Sequence, residues 1–204
     1  MILLPRLYAI LDSASFPDTA ALCASAQELA AAGVTLLQYR NKSGNARQML
    51  EQACELKRRL GASIKLIMND RADLCLAANF DGVHVGQDDL SPESARKVIG
   101  SELWLGVSTH NAEQLAAADQ TTADYLAIGP VFSTASKANP DPVIGLEGVR
   151  RARGLTRKPL VAIGGITRAN CRSVIESGAD AVAVISDLLP EPRKSAEEFF
   201  RILG

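Results

Sequence analysis

Short runs rich in Val, Ile and Leu alternate along this chain with longer Ala-rich segments of helical periodicity, and that alternation leaves few folds open. A strand that is apolar at successive positions has both faces buried, as in parallel sheets covered by helices. Eight such runs can be counted, near Leu7–Asp12, Val34–Arg40, Lys65–Asn69, Gly82–Gly86, Trp104–Ser108, Tyr125–Gly129, Leu160–Gly164 and Ala181–Ser186. The helices between them carry start signals, such as Asp18-Thr19 and Ser91-Pro92-Glu93. Ala32-Gly33-Val34, Phe80-Asp81-Gly82-Val83, Ala123-Asp124-Tyr125 and Ser177-Gly178-Ala179-Asp180-Ala181 place a small or turn-forming residue just before a buried strand, a weak internal repeat. Such a repeat also fits an open doubly wound sheet. Eight consecutive units without a long interruption favour closure, so the expected fold is α/β, a (β/α)8 TIM barrel forming one catalytic domain over residues 1–204.

Composition narrows the partners. Lys plus Arg number 22 against 23 Asp plus Glu, so no global field gathers nucleic acid or an anionic membrane surface, and any anion must be held by local groups. Cys23, Cys54, Cys75 and Cys171 form no C-x-x-C pair and fall in helical stretches, where small buried hydrophobes are expected rather than zinc or redox chemistry. The opening Met1-Ile2-Leu3-Leu4-Pro5 is too short for a signal-peptide core or a membrane span, which makes a cytoplasmic enzyme the expectation. The sequence does not fix the oligomeric state; a homodimer is compatible with it.

In a barrel of this kind the strand C-termini converge on one mouth, so residues far apart in sequence become neighbours there. The polar groups that follow the apolar runs are Gln38 and Arg40, Asn69 and Asp70, Gln87 to Asp89, Ser108, Ser133 to Lys137, Gly164-Gly165 and Ser186. Asp70 and Asp89 among Arg40, Lys42 and Lys137 suit a hard cation shared with a phosphorylated ligand, and magnesium is the expected ion. Helix N-capping is the other use for the two Asp residues. Gly164-Gly165 and Ile185-Ser186 fall where barrels form a phosphate pocket from backbone N–H groups. Between Val131 and Glu147 the chain reads as a long irregular loop, a candidate lid.

Seven ordered motifs then carry a resemblance. Gln38-Tyr39-Arg40-Asn41-Lys42, Met68-Asn69-Asp70-Arg71, His84-Val85-Gly86-Gln87-Asp88-Asp89, Gly106-Val107-Ser108-Thr109-His110, Gly129-Pro130-Val131-Phe132, Ile163-Gly164-Gly165-Ile166 and Val184-Ile185-Ser186 together resemble the thiamine-phosphate synthase family. The resemblance implies a magnesium-dependent transferase that joins 4-amino-2-methyl-5-pyrimidinylmethyl diphosphate to a thiazole ethyl phosphate, releasing diphosphate. It implies that Gln38, Arg40, Lys42, Asn69, Ser108 and Lys137 hold the pyrimidine diphosphate, with Tyr39 and Asn41 in the same motif. By the same resemblance Asp70 and Asp89 bind the metal, Thr134, Ala135, Ser136, Gly165, Ile185 and Ser186 meet the thiazole phosphate, and Lys137, Arg40 and Ser108 are the catalytic set. Ser136 stands where many members of the family carry Thr, which keeps the hydroxyl donor.

Two rival readings follow from the same residues. The thiazole tautomerases resemble the synthases and use a His after the strand that precedes His110, whereas they bind no diphosphate and tend to lose the metal pair and cations present here. A barrel that binds thiamine precursors without turnover would be expected to have lost a charged ligand. His84, in mid-strand, reads as a packed and hydrogen-bonded core residue.

Overall fold

The structure is a computed structural model that describes residues 2–42, 44–134, 141–189 and 191–204. Eight parallel strands close into a barrel in strict sequence order. They are β1 (Leu7–Asp12), β2 (Leu36–Arg40), β3 (Lys65–Asn69), β4 (Gly82–Val85), β5 (Trp104–Thr109), β6 (Tyr125–Ile128), β7 (Leu160–Ile163) and β8 (Ala181–Val184). Each is followed by its helix: α1 (Thr19–Ala31), α2 (Ala46–Leu60), α3 (Ala72–Ala77), α4 (Pro92–Ile99), α5 (Ala112–Asp119), α6 (Gly145–Leu155), α7 (Cys171–Glu176) and α8 (Pro192–Leu203). The barrel expected from the apolar runs is therefore the barrel observed.

Strand parity builds two cores. On β1, Leu7, Ala9 and Leu11 pack outward against the helices, while Tyr8 and Ile10 point into the barrel. The inner core adds Leu36, Ile67, Tyr125, Ala127, Val161, Ala181 and Ala183. Both faces are thus dry, which is why the strands read as unbroken apolar runs rather than as alternating ones. A fully buried Leu such as Leu7 gains about 1.5–3 kcal/mol by leaving water.

Capping follows the start signals. Asp18 accepts from the Ala21 N–H at 2.8 Å and Ser91 from the Ser94 N–H at 3.2 Å, with Pro92 in the first turn of α4. The expected strand limits need small corrections. Val34 lies outside β2 because its N–H closes α1 on the Leu29 carbonyl. Gly86, Gly129, Gly164, Ile185 and Ser186 have left the ladder and turn into the loops of the mouth, whereas β5 runs one residue further, to Thr109. Cys23, Cys75 and Cys171 are buried as expected, but Cys54 is exposed on α2. The irregular stretch after β6 is shorter than Val131–Glu147, since α6 already begins at Gly145; the Ile144 and Gly145 N–H groups return to the Pro130 and Val131 carbonyls.

At the opposite rim, where the strands begin, one device recurs. Asp81, Asp124 and Asp180 each precede an even-numbered strand and accept the N–H of Leu66, Leu105 or Leu160 on the preceding strand, at 2.9, 2.7 and 2.8 Å. Each also pairs with a cation from the helix layer: Lys57 at 3.1 Å, Arg96 at 2.7 Å and Arg153 at 2.8 Å. The turn residues seen in the sequence are therefore structural clamps.

Candidate active site

The strand C-termini surround a cavity of about 500 Å³. Its rim on one side is built by Gln38, Arg40, Lys42, Asn69, Asp70 and Asp89, from the ends of β2, β3 and β4. Ser108 from β5 and Thr134 after β6 continue the wall, and Gly165, Ile185 and Ser186 complete it from β7 and β8.

The charged groups are not arranged as clamps. Lys42 lies 2.5 Å from the Asp70 carboxylate, and the Asp70 carboxyl also faces that of Asp89 within hydrogen-bonding reach. Burial raises the pKa of Asp70 above the usual carboxylate range and Asp89 raises it further, while Lys42 works in the opposite direction. Asp70 also holds a left-handed backbone, φ 62°, a conformation that costs a non-glycine residue free energy and accumulates at functional sites. Its N–H donates to the His84 carbonyl at 2.8 Å, and Asp89 accepts from the Gly86 N–H at 2.8 Å, so the two carboxylates are anchored to adjacent strand ends. Two carboxylates driven together in this way suit a divalent cation between them. Among the described residues no group of three or more His, Cys, Asp or Glu could hold a metal, so a cation here would draw its remaining oxygens from a ligand or water, as magnesium does.

Beside this pair, the Asn69 Nδ2 is buried and has no hydrogen-bond partner among the described residues. A buried donor left unpaired costs roughly 1–3 kcal/mol, which a bound acceptor would recover. Arg40 forms an ion pair with Asp12, its register partner on β1. Asp12 was not among the residues singled out in the sequence; nothing marked it apart from its place at the end of a strand.

Gly164 and Gly165 have φ values of 100° and 62°. A Cβ at Gly164 would lie 2.5 Å from Pro130 Cα, and one at Gly165 would overlap the Ser133 carbonyl, so these glycines also let the β7 turn press against the β6 loop. After β8, Ser186 opens a short 3-10 helix, Ser186–Leu188. The Asp187 carboxylate accepts from the Arg168 N–H at 2.8 Å and from its Nε at 3.0 Å, which ties the β7 and β8 loops together. Arg168 and Asp187 were likewise not singled out.

Two residues of the β2 motif are placed elsewhere. The Tyr39 side chain points outward, fully buried, and donates to Gln52 Oε1 at 2.5 Å on α2. Asn41 is buried beneath the loop, where its Nδ2 donates to the Tyr39 hydroxyl and to Gln52 Oε1, each at 3.2 Å. Its Oδ1 accepts from the Gly44 N–H at 2.7 Å. Both hold the loop rather than face the cavity. Ala135, Ser136 and Lys137 lie outside the described residues.

His110 lines the cavity, with Nδ1 2.8 Å from the Gly129 carbonyl and 3.5 Å from Asp141. His84 is deeper: burial depresses its pKa to about 4 and keeps the ring neutral. Its ring nitrogens meet the Tyr125 hydroxyl at 3.1 Å and Ser108 Oγ at 2.8 Å. The Tyr125 hydroxyl lies 3.0 Å from that of Tyr8, which accepts from Gln38 Nε2 at 2.9 Å. Burial raises the pKa of both phenols and keeps them protonated.

Residues 7–188 match the sequence profile of the family described as thiamine monophosphate synthase. A thiamine-phosphate synthase of Koribacter versatilis is 64% identical over 203 residues, covering 98% of this chain and 96% of that protein. A second thiamine-phosphate synthase, from Chloroflexus aurantiacus, is 48% identical over 76% of this chain and 71% of its own. Among solved structures, a thiamine phosphate pyrophosphorylase from Pyrococcus furiosus superposes with a TM-score of 0.86 at 35% identity, covering 97% of this chain and 95% of that one.

Proposed function

Because this chain belongs to the thiamine monophosphate synthase family, and is by that membership a transferase of thiamine biosynthesis, we propose that its barrel mouth joins 4-amino-2-methyl-5-pyrimidinylmethyl diphosphate to a thiazole ethyl phosphate. The observation that carries this assignment of the site is the meeting of Asp70 and Asp89 under Lys42, next to the unpaired Asn69 donor. On this reading Asp70 and Asp89 hold magnesium, which neutralises charge on the diphosphate when bound. Arg40, Lys42 and Lys137 meet the diphosphate oxygens, and Gln38, Asn69 and Ser108 hold the pyrimidine. Thr134, Ser136, Gly165, Ile185 and Ser186 receive the thiazole phosphate.

The chemistry asks little more of the protein than placement. The bond between the methylene carbon and the diphosphate oxygen breaks with both electrons leaving on the diphosphate. The electron-rich aminopyrimidine stabilises the methylene cation, and the thiazole nitrogen lone pair forms the new C–N bond. Preplaced cations lower the cost of the charge growing on the leaving group, and the walls exclude water that would otherwise capture the cation. The loop that carries Thr134 is the proposed lid. A tautomerase working through His110 would leave the Lys42–Asp70–Asp89 group without a task, and so would a binding protein without turnover.

Both substrates are phosphorylated metabolites, so the reading places the enzyme in the cytoplasm, without nucleic-acid or membrane partners. Among the described residues no helix is long and apolar enough to cross a membrane. The test is direct: with both precursors and magnesium the protein should release thiamine phosphate and diphosphate, and EDTA should stop it. A complete reaction mixture that gives neither product would refute the proposal.

A further inference from the structure

Four polar side chains run in an unbroken hydrogen-bonded line through the barrel interior to a fifth, and the line begins and ends on groups that face the cavity. Gln38 Nε2 donates to the Tyr8 hydroxyl at 2.9 Å; the Tyr8 and Tyr125 hydroxyls are 3.0 Å apart; Tyr125 reaches His84 Nδ1 at 3.1 Å; and His84 Nε2 reaches Ser108 Oγ at 2.8 Å. Tyr8 and Tyr125 are 1% and 0% exposed, so no bulk water can substitute for a missing partner.

The protons in this line can be counted. Each phenol has one proton, and a neutral imidazole has one N–H. With Gln38 donating to Tyr8, the arrangement that gives every buried proton a partner sends the Tyr8 proton to Tyr125 and the Tyr125 proton to His84 Nδ1. The His84 proton is then on Nε2 and donates to Ser108 Oγ, which leaves the Ser108 hydroxyl proton for the cavity. At the other end the Gln38 carbonyl oxygen is left for the cavity as an acceptor. Reversing the line requires Gln38 to turn its amide over, and then both ends exchange roles together. In the first sense Gln38 offers its carbonyl and Ser108 its proton to the cavity; in the reversed sense Gln38 offers its amide N–H and Ser108 only a lone pair.

A second observation shows that the barrel is built around this contact. The β5 strand has Gly106 where Tyr125 and His84 meet, and a methyl group there would overlap both rings. The strand thus gives up a side chain at that level of the core.

We propose that Tyr8, Tyr125 and His84 are positioning residues, coupling Gln38 to Ser108 so that the Gln38 carbonyl accepts from the exocyclic amine of the aromatic substrate while the Ser108 hydroxyl donates to an acceptor atom of that substrate. The proposal rests on the assignment of these two residues to the aminopyrimidine diphosphate made above.

The experiment uses the full chain in two measurements. In Tyr8→Phe and Tyr125→Phe the rings remain and the line is cut; kcat/KM for the pyrimidine diphosphate should fall by about tenfold, while KM for the thiazole phosphate stays close to wild type. Independently, nitrogen-15 NMR of the imidazoles should find His84 as the Nε2–H tautomer in the wild-type protein, with His110→Gln used to assign the two His signals. In Tyr125→Phe this single tautomer should give way to a mixture. Wild-type kinetics in both Tyr variants would overturn the coupling, and an Nδ1–H tautomer of His84 in the wild type would overturn the roles proposed for Gln38 and Ser108. Should the wild-type protein form no thiamine phosphate, the functional reading falls while the tautomer still decides the line; should Tyr125→Phe not fold, Tyr8→Phe and the wild-type spectrum decide.

Discussion

The two rims of the barrel use the same residue type to opposite ends. Where the strands begin, Asp81, Asp124 and Asp180 each hold a strand N–H and a helix-borne cation. Where the strands finish, Asp70 and Asp89 face each other, Asp70 has a left-handed backbone, and the buried Asn69 Nδ2 has no hydrogen-bond partner among the described residues. A carboxylate surrounded by its complement contributes stability, whereas Asp70, buried and set against Asp89 with Lys42 only partly offsetting them, suits a further cation. Free energy forgone at the mouth is kept for ligands, a division often seen between scaffold and site.

The largest expected effect lies at the mouth. Asp70→Ala should lower kcat by about 1,000-fold, with a melting temperature no lower than that of wild type, because the substitution removes a carboxyl crowded by Asp89. Lys137→Ala, by the role the family resemblance gives that residue, should abolish synthesis likewise. Wild-type turnover in either variant, measured as diphosphate release, would break the contrast between the rims. Asp124→Ala should do the reverse: it removes the carboxylate that pairs with Arg96 and leaves the Leu105 N–H without its acceptor, and should cost about 2–3 kcal/mol in denaturant unfolding, with kcat unchanged. A variant that kept full stability would show the clamp to be ornamental. Arg40→Lys should lower kcat/KM by about tenfold, since an ammonium cannot reproduce a two-pronged contact to phosphate while also keeping Asp12.

The smallest effect concerns pH. The Asp70 carboxyl titrates above the usual range, so in metal-free protein its contribution to stability is present in acid and is lost as pH rises through that raised value. Magnesium needs the ionised carboxylate. Its stabilising effect, read as a shift in melting temperature, should therefore be larger at about pH 8 than at about pH 5 and vanish in Asp70→Ala. An equal shift at both pH values would remove Asp70 from the metal site.

The barrel was legible because strands buried on both faces write themselves as continuous apolar runs, and all eight fall where those runs stand. Their ends were not, since Gly129 and Gly164 extend an apolar run after the ladder has stopped. Strand-end polarity pointed to the residues around the cavity, but the motif of β2 misled at alternate positions. Gln38 and Arg40 face the mouth, so a period of two turns Tyr39 to the helices, and Asn41 sits below the loop that follows. The buried line from Gln38 to Ser108 left no local trace, because Tyr8, His84 and Tyr125 become neighbours only through barrel register. Gly106, a strand glycine with no turn to make, was the one sign of it.

The rim clamps also bear on how the ring assembles. Each one bridges a short stretch of chain, with separations of 15, 19 and 20 residues, whereas the seam that shuts the barrel brings Arg6 to Asp180, 174 residues apart. Loop-closure entropy rises with separation, so neighbouring strand pairs can be stitched while the final seam is still open. Pulse-labelling during refolding should accordingly find the amides of Leu66, Leu105 and Leu160 shielded from deuterium before that of Val182, which bonds across the seam to Arg6.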